Sequence, residues 1–362
     1  MKSLNQYINE KLKVSKKQYN YCPQTKKELK NLIKQLIKER GNNGDFNDID
    51  TSNITDMSYL FSRRSKLNCN ISGWDVSNVT NMCNMFAFCE SFEGKGLDKW
   101  DVSNVINMGY MFYFCESFEG KCLENWDVSN VTSTDNMFAR CEKLDCNLSK
   151  WDVSNVTDIS MMFYECANFK GKGLENWDVS NVTNVALTFY ACKNLDCDLS
   201  NWNVSNIRNM CSIFAGCKSF EGKCLENWDV SNVTSTDNMF CYCEKLDCDL
   251  SNWNVSNVKY MGKMFYNCEN FKGKGLENWN VSNVGDMHEM FYNCENFKGK
   301  GLENWDVSNV TNMFDMFVNC KKFNVDISDW DVSNVRYYGD IFYKCPIKNE
   351  YKPKLNLKNK IL

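Results

Sequence analysis

The sequence predicts an α/β solenoid, a right-handed coil of about twelve repeats with a parallel sheet on the concave side and short helices on the convex side. Three observations carry that expectation. All eleven tryptophans, Trp74 to Trp330, open copies of one stretch, WDVSNVTNMCNMFAFC in residues 74–89, and a weaker copy begins at Ile49. The copies return every 25 or 26 residues over about four fifths of the 362-residue chain, so one elongated body replaces the two or three domains that length alone suggests. Apolar positions also keep their phase from copy to copy, as stacked coils sharing one core require.

Four segments follow in order. Residues 1–24 begin with a short amphipathic stretch, Leu4, Tyr7, Ile8 and Leu12 on one helical face, and end in a polar loop. Residues 25–48 carry the clearest helix signal: Thr25 and Glu28 at capping-box spacing, a stripe of Leu29, Leu32, Ile33, Leu36 and Ile37, and Gly41 as the stop. That helix, over 26–40, is expected to cap the first coil, which has no preceding neighbour, and a partner-binding helix is the alternative. The repeats fill 49–345, and Pro346 opens a lysine-rich tail, 346–362.

With Trp as position 0, each column has a physical reading. Leu or Ile stands at −3, Val at +2, Val or Ile at +5, and Phe at +12 in every copy from Phe61 to Phe342. L-x-x-W-x-V is the strand signature of a leucine-rich repeat, with 0 and +2 pointing inward. The apolar spacing at +5, +8, +11, +12, +15 and +18 suits a short outer helix. Fifteen of seventeen methionines occupy +8 or +11 and read as soft core filler. All six 26-residue intervals contain a Gly-Lys pair, so the extra residue enters a glycine turn. This is no phosphate loop, because no Ser or Thr follows the lysine. Residues 118–148 and 220–250 are nearly identical, which points to growth by duplication of four-repeat blocks.

Composition narrows the function. The formal charge of −4 divides into basic ends and a repeat body near −14, a poor match to a phosphate backbone, so nucleic acid is not expected as a partner. No segment approaches a membrane span. The N-terminus lacks an apolar secretory region and 21 cysteines suit a reducing interior, so a cytoplasmic or virion-associated location is expected, with the cell surface open only to a non-classical route. Cysteine at +15, Cys89 to Cys345, reads as a column of buried thiols. With no CxxC pair and His288 as the sole histidine, neither a metal nor a cofactor is expected. His288 has no nucleophile at a fixed spacing, so no enzyme is expected.

Candidate binding residues lie at +1, outward between two inward positions: Asp75, Asp101, Asp127, Asp152, Asp178, Asp229, Asp306 and Asp331, with Lys99 and Lys150 just before the tryptophan. A ladder of carboxylates roughly 5 Å apart repels itself unless compensated. Hydrogen bonds to the recurrent Ser at +3 and Asn at +4, basic groups of a protein partner, and calcium are the three compensations open.

The pattern WDVSNVTNMxxMFxxCxxFxxxLxxW resembles the repeat of the BspA-like leucine-rich-repeat surface proteins, a unit also found in mycoplasma lipoprotein-type proteins of unknown function. The resemblance implies a curved solenoid and adhesion or protein recognition at a surface. Arrays of this kind also resemble those of gut bacteria and their large phages. The expected function is therefore recognition of a protein partner by a monomer. The class-distinct alternative is a structural or assembly component attached through its N-terminal helix.

Overall fold

The computed structural model describes residues 19–355; the expected helix over Leu4 to Leu12 lies outside them. Within that range the chain is a solenoid whose α-helix, α1, spans Lys26–Arg40. Its caps follow the sequence signals, since Thr25 Oγ1 accepts from the Glu28 amide at 3.2 Å and Gly41 closes the helix at φ 77°. The Glu28 carboxylate bonds the Gln24 amide at 2.8 Å, one residue earlier than a capping box places it. Leu29, Ile33 and Leu36 are fully buried against the first coil. α1 thus covers the core edge that the first coil would otherwise expose.

Two ion pairs fasten the segment: Lys26 to Asp56 at 3.0 Å, and Arg40 to both oxygens of Asp48 at 2.7 and 3.0 Å. The Arg40 guanidinium holds the Asp48 carboxyl down at about 2. A depressed carboxylate stabilises the fold above its ordinary pKa, and that contribution disappears as pH falls through about 2. Asp48→Asn should therefore cost on the order of 1–2 kcal/mol near pH 7. The gap between parent and variant in thermal melts should close near pH 2.

The repeats depart from the sequence reading in their backbone. The expected convex helices are not formed; beyond α1, the helical segments among the described residues are three-residue 3-10 turns. Nor does L-x-x-W-x-V pair as a strand. Coil-to-coil pairing sits mainly at +7, as isolated parallel bridges from Asp56–Asn81 through Asn312–Tyr337, interrupted at Asn184–Asn209, with Tyr21–Ile49 and Asp45–Asn70 added at the N-terminal end. From +8 to +14 alternate amides bond the next coil, as Met57 to Asn81 (2.9 Å), Tyr59 to Cys83 (3.0 Å), Phe61 to Met85 (2.9 Å) and Arg63 to Ala87 (2.8 Å) do. The remaining amides close local turns, Met85 to Met82 at 3.1 Å and Cys89 to Phe86 at 3.0 Å. Left-handed residues recur at +10 and +14, Asn84 and Phe88 for example, third in each turn as a type II turn requires.

This succession of turns keeps every third or fourth side chain inward without a helix. Inside, the +12 phenylalanines form one stack from Phe61 to Phe342 with ring centroids 5.4–5.8 Å apart. Each tryptophan indole donates at 2.8–3.2 Å to the carbonyl at −3 of the preceding coil (Phe46 for Trp74), so a buried N–H is satisfied while tying two coils together. The six 26-residue intervals each form a 3-10 turn before the tryptophan, from Leu97–Lys99 to Leu302–Asn304, and this is where the extra residue goes.

Candidate functional site

The polar corner is built from +1, +3 and +4. All eight candidate aspartates, Asp75 to Asp331, are exposed, as are Lys99 and Lys150. Each aspartate turns one oxygen, Oδ1, back onto its own coil. In the Asp101 coil the Ser103 amide donates to it at 3.2 Å and the Ser103 hydroxyl at 2.6 Å, and the same pair recurs at Asp75, Asp127 and Asp152. These bonds to serine lower the carboxyl pKa of Asp127, Asp178, Asp229, Asp306 and Asp331. The +4 asparagine runs along the array instead, its amide donating at 2.7–2.9 Å to the +3 serine carbonyl of the preceding coil from Asn78 to Asn334. Of the three compensations considered for the acidic column, internal hydrogen bonding is the one visible here. Lys150 reaches Asn125 Oδ1 at 2.7 Å. Among the described residues, no three His, Cys, Asp or Glu side chains converge to hold a metal.

The thiol column is internal. From Cys89 to Cys320, each +15 sulfur donates at 2.9–3.2 Å to the +12 phenylalanine carbonyl of the preceding coil. All 21 cysteines are free. Burial pushes Cys69, Cys89, Cys122 and Cys241 up to about 12. Only the thiolate attacks an alkylating reagent, so exposed Cys22 should label within minutes and Cys89 to Cys320 only upon unfolding, as mass spectrometry of the labelled peptides would show.

His288 lies at +9, in the paired stretch. Its ring is half-buried over Gly262, and Nδ1 lies 2.8 Å from Asp286 Oδ1, a bond that raises the imidazole pKa. It packs as a side chain partnered by Asp286.

The sequence reading passed over a second surface. Of the seven exposed large apolar side chains among the described residues, six are aromatic, Tyr59, Tyr242, Tyr260, Phe314, Tyr337 and Tyr343, 41–56% exposed and all in the paired stretch from +7 to +14, while Ile106 stands just before it at +6. Ser at +3 and Asn at +4 are the same in all twelve copies, while +9 ranges from glycine to phenylalanine, +13 from alanine to tyrosine and +14 from glycine to tyrosine. That contrast is readable in the sequence once the paired stretch is known to present side chains to solvent. No helix among the described residues is long and apolar enough to cross a membrane.

No curated protein matches the sequence. Among solved structures, a leucine-rich repeat protein from Eubacterium ventriosum aligns at 14% identity over 77% of this chain and 83% of that one, with a TM-score of 0.38. A TLR13–ssRNA13 complex aligns at 12% identity over 76% of this chain and 54% of that one, with a TM-score of 0.18. Residues 27–124, 89–200, 183–275 and 263–360 each match the family model described as "Mycoplasma protein of unknown function, DUF285". With overlapping matches from 27 to 360, the chain belongs to the DUF285 family.

Proposed function

We propose that this solenoid is a non-enzymatic protein-recognition module and that its partner is read mainly by the paired face. The observation that carries this reading is the set of exposed aromatic residues there, Tyr59, Tyr242, Tyr260, Phe314, Tyr337 and Tyr343, for which the already filled core has no use. Tyrosine and phenylalanine are enriched at protein interfaces because a rigid ring covers much area at little entropic cost. Variation from coil to coil supports the same reading, since a one-dimensional array distinguishes partners only where its repeats differ. The acidic column from Asp75 to Asp331, with Lys99 and Lys150, is proposed as a flanking rim that attracts a basic partner and contributes less affinity.

The test is affinity capture with three baits of equal thermal stability: the parent, Tyr242→Ser/Tyr260→Ser, and Asp101→Asn/Asp127→Asn/Asp152→Asn/Asp178→Asn. Loss of a specific captured protein by the tyrosine variant, with retention by the asparagine variant, supports this assignment. The reverse pattern would move recognition to the acidic column. Capture of nothing by any bait would favour a structural spacer.

A further inference from the structure

We infer that a cavity in the paired face, at the coil of Ala215 and Gly216, binds a single flat ring carrying an anionic group. The cavity holds about 370 Å³, within the size range of small-molecule sites, and its walls include Tyr190, Tyr242 and Tyr266 with Lys193, Lys218 and Lys263. No carboxylate lines it.

The +13 column shows what is missing. Tyr164 stacks on Tyr190 at 4.8 Å and 8°, and Tyr266 on Tyr292 at 4.8 Å and 13°. Between these pairs the column holds Ala215 and Cys241. Tyr242, at +14 of the second of those coils, lies edge-on to Tyr266 at 5.3 Å and occupies that space. One ring position remains open, between Tyr190 and Tyr242. Where +13 is alanine elsewhere, +14 is large, as in Ala87–Phe88 and Ala139–Arg140; at Ala215–Gly216 both are small.

The coil 102 positions earlier, just before the nearly identical segment, supplies an internal comparison. It carries Tyr110, Tyr113, Phe114 and Glu116 where this coil has Ser212, Ala215, Gly216 and Lys218. In the earlier copy Phe88 stacks on Phe114 at 5.6 Å and Tyr110 lies 5.5 Å from Tyr113, so the space is filled. The later copy has lost three rings and exchanged an acid for a base while keeping the same backbone conformation, φ 61° at Phe114 and 79° at Gly216. The fold therefore does not require the cavity. Lost rings select a planar π system that restores the stack, and the cations select a negative charge. Lys218 and Lys263 already face Glu244 at 2.6 Å and Glu289 at 3.4 Å, whereas Lys193 has no acidic partner among the described residues and is the principal anion contact.

This assignment stands apart from the protein-recognition reading, because its readout is a small molecule. Phenyl phosphate is the probe, titrated by calorimetry against the full chain, with phenol and inorganic phosphate as half-probes. The expected result is saturable one-site binding, at least tenfold weaker for either half-probe. Ala215→Tyr/Gly216→Phe, which places the residues of the earlier coil here, should abolish binding, and Lys193→Gln should weaken it roughly tenfold. Lys193 is exposed, so that variant keeps the test valid if the refilled coil fails to fold. A phosphotyrosine peptide that binds more tightly than phenyl phosphate would place the ring on a partner protein, and equal affinity would indicate a free small molecule. Unchanged affinity in both variants, or phenyl phosphate binding no tighter than inorganic phosphate, would overturn the assignment.

Discussion

Phe214→Ala is expected to cost about 3–5 kcal/mol, among the largest effects of any single substitution in the array. Phe214 is fully buried in mid-column, its ring 5.7 Å from Phe189, 5.8 Å from Phe240 and 4.5 Å from Phe220. Truncation opens a void that the flanking coils cannot close, because the Trp228 indole bonds the Leu199 carbonyl on one side and the Cys217 thiol bonds the Phe189 carbonyl on the other. The matching truncation at Phe342 should cost less, since that ring is only partly buried and stacks on a phenylalanine of the column on one side, Phe317. Urea denaturation of the two variants would check the ordering. A cost below about 1 kcal/mol at Phe214 would mean that the stack does not carry the coupling between coils.

Gly173→Ala should be the second large effect, at about 2–4 kcal/mol. Gly173 has φ 96° at the start of the Leu174–Asn176 turn, and a methyl group there would lie 2.2 Å from the Ser149 amide nitrogen and 2.7 Å from the Leu148 carbonyl carbon. Both are backbone atoms of the preceding coil, so relief requires separating the coils and straining the bond from the Leu148 amide to the Lys172 carbonyl at 3.0 Å. Gly285→Ala is the control: its nearest neighbour would be 4.0 Å away, and an effect within about 0.5 kcal/mol is expected. Equal melting temperatures for the two variants would contradict the close approach at Gly173.

Columns were legible in the sequence because each is written twelve times. Phe at +12, Cys at +15 and Leu at −3 were placed in the core by phase alone, and there the structure puts them. The capped helix at 26–40 was legible because Thr25 and Gly41 mark its ends chemically. The convex helix was misread for a physical reason. Turns that follow one another through left-handed residues bring the same third and fourth positions inward as a helix does, and most of those left-handed residues are ordinary ones such as Tyr110, Glu165 and Leu187. No glycine marks most of these turns, so the apolar spacing alone could not separate the two conformations. The inward placement of the tryptophan holds but its strand does not form, and its indole bond to the preceding coil is what singles out tryptophan at that position. Among the candidate binding residues, the regular aspartates were legible by their repetition, and each turns one oxygen onto the serine of its own coil. The exposed tyrosines are scattered over +7, +10, +13 and +14, with no more than two in any column, so column reading averages them away.

Site-specific photo-crosslinking tests the central claim most directly. A photoreactive phenylalanine analogue would replace Tyr59, Tyr260 or Phe314 on the paired face, and Asp127 or Asp152 on the acidic column, one position at a time, with crosslinks mapped in cells that make the protein. If the paired face reads the partner, Tyr260 and its neighbours capture one protein in good yield and the aspartate positions capture it weakly. Capture from Asp127 and Asp152 with none from Tyr59, Tyr260 or Phe314 would contradict the account and return recognition to the acidic column.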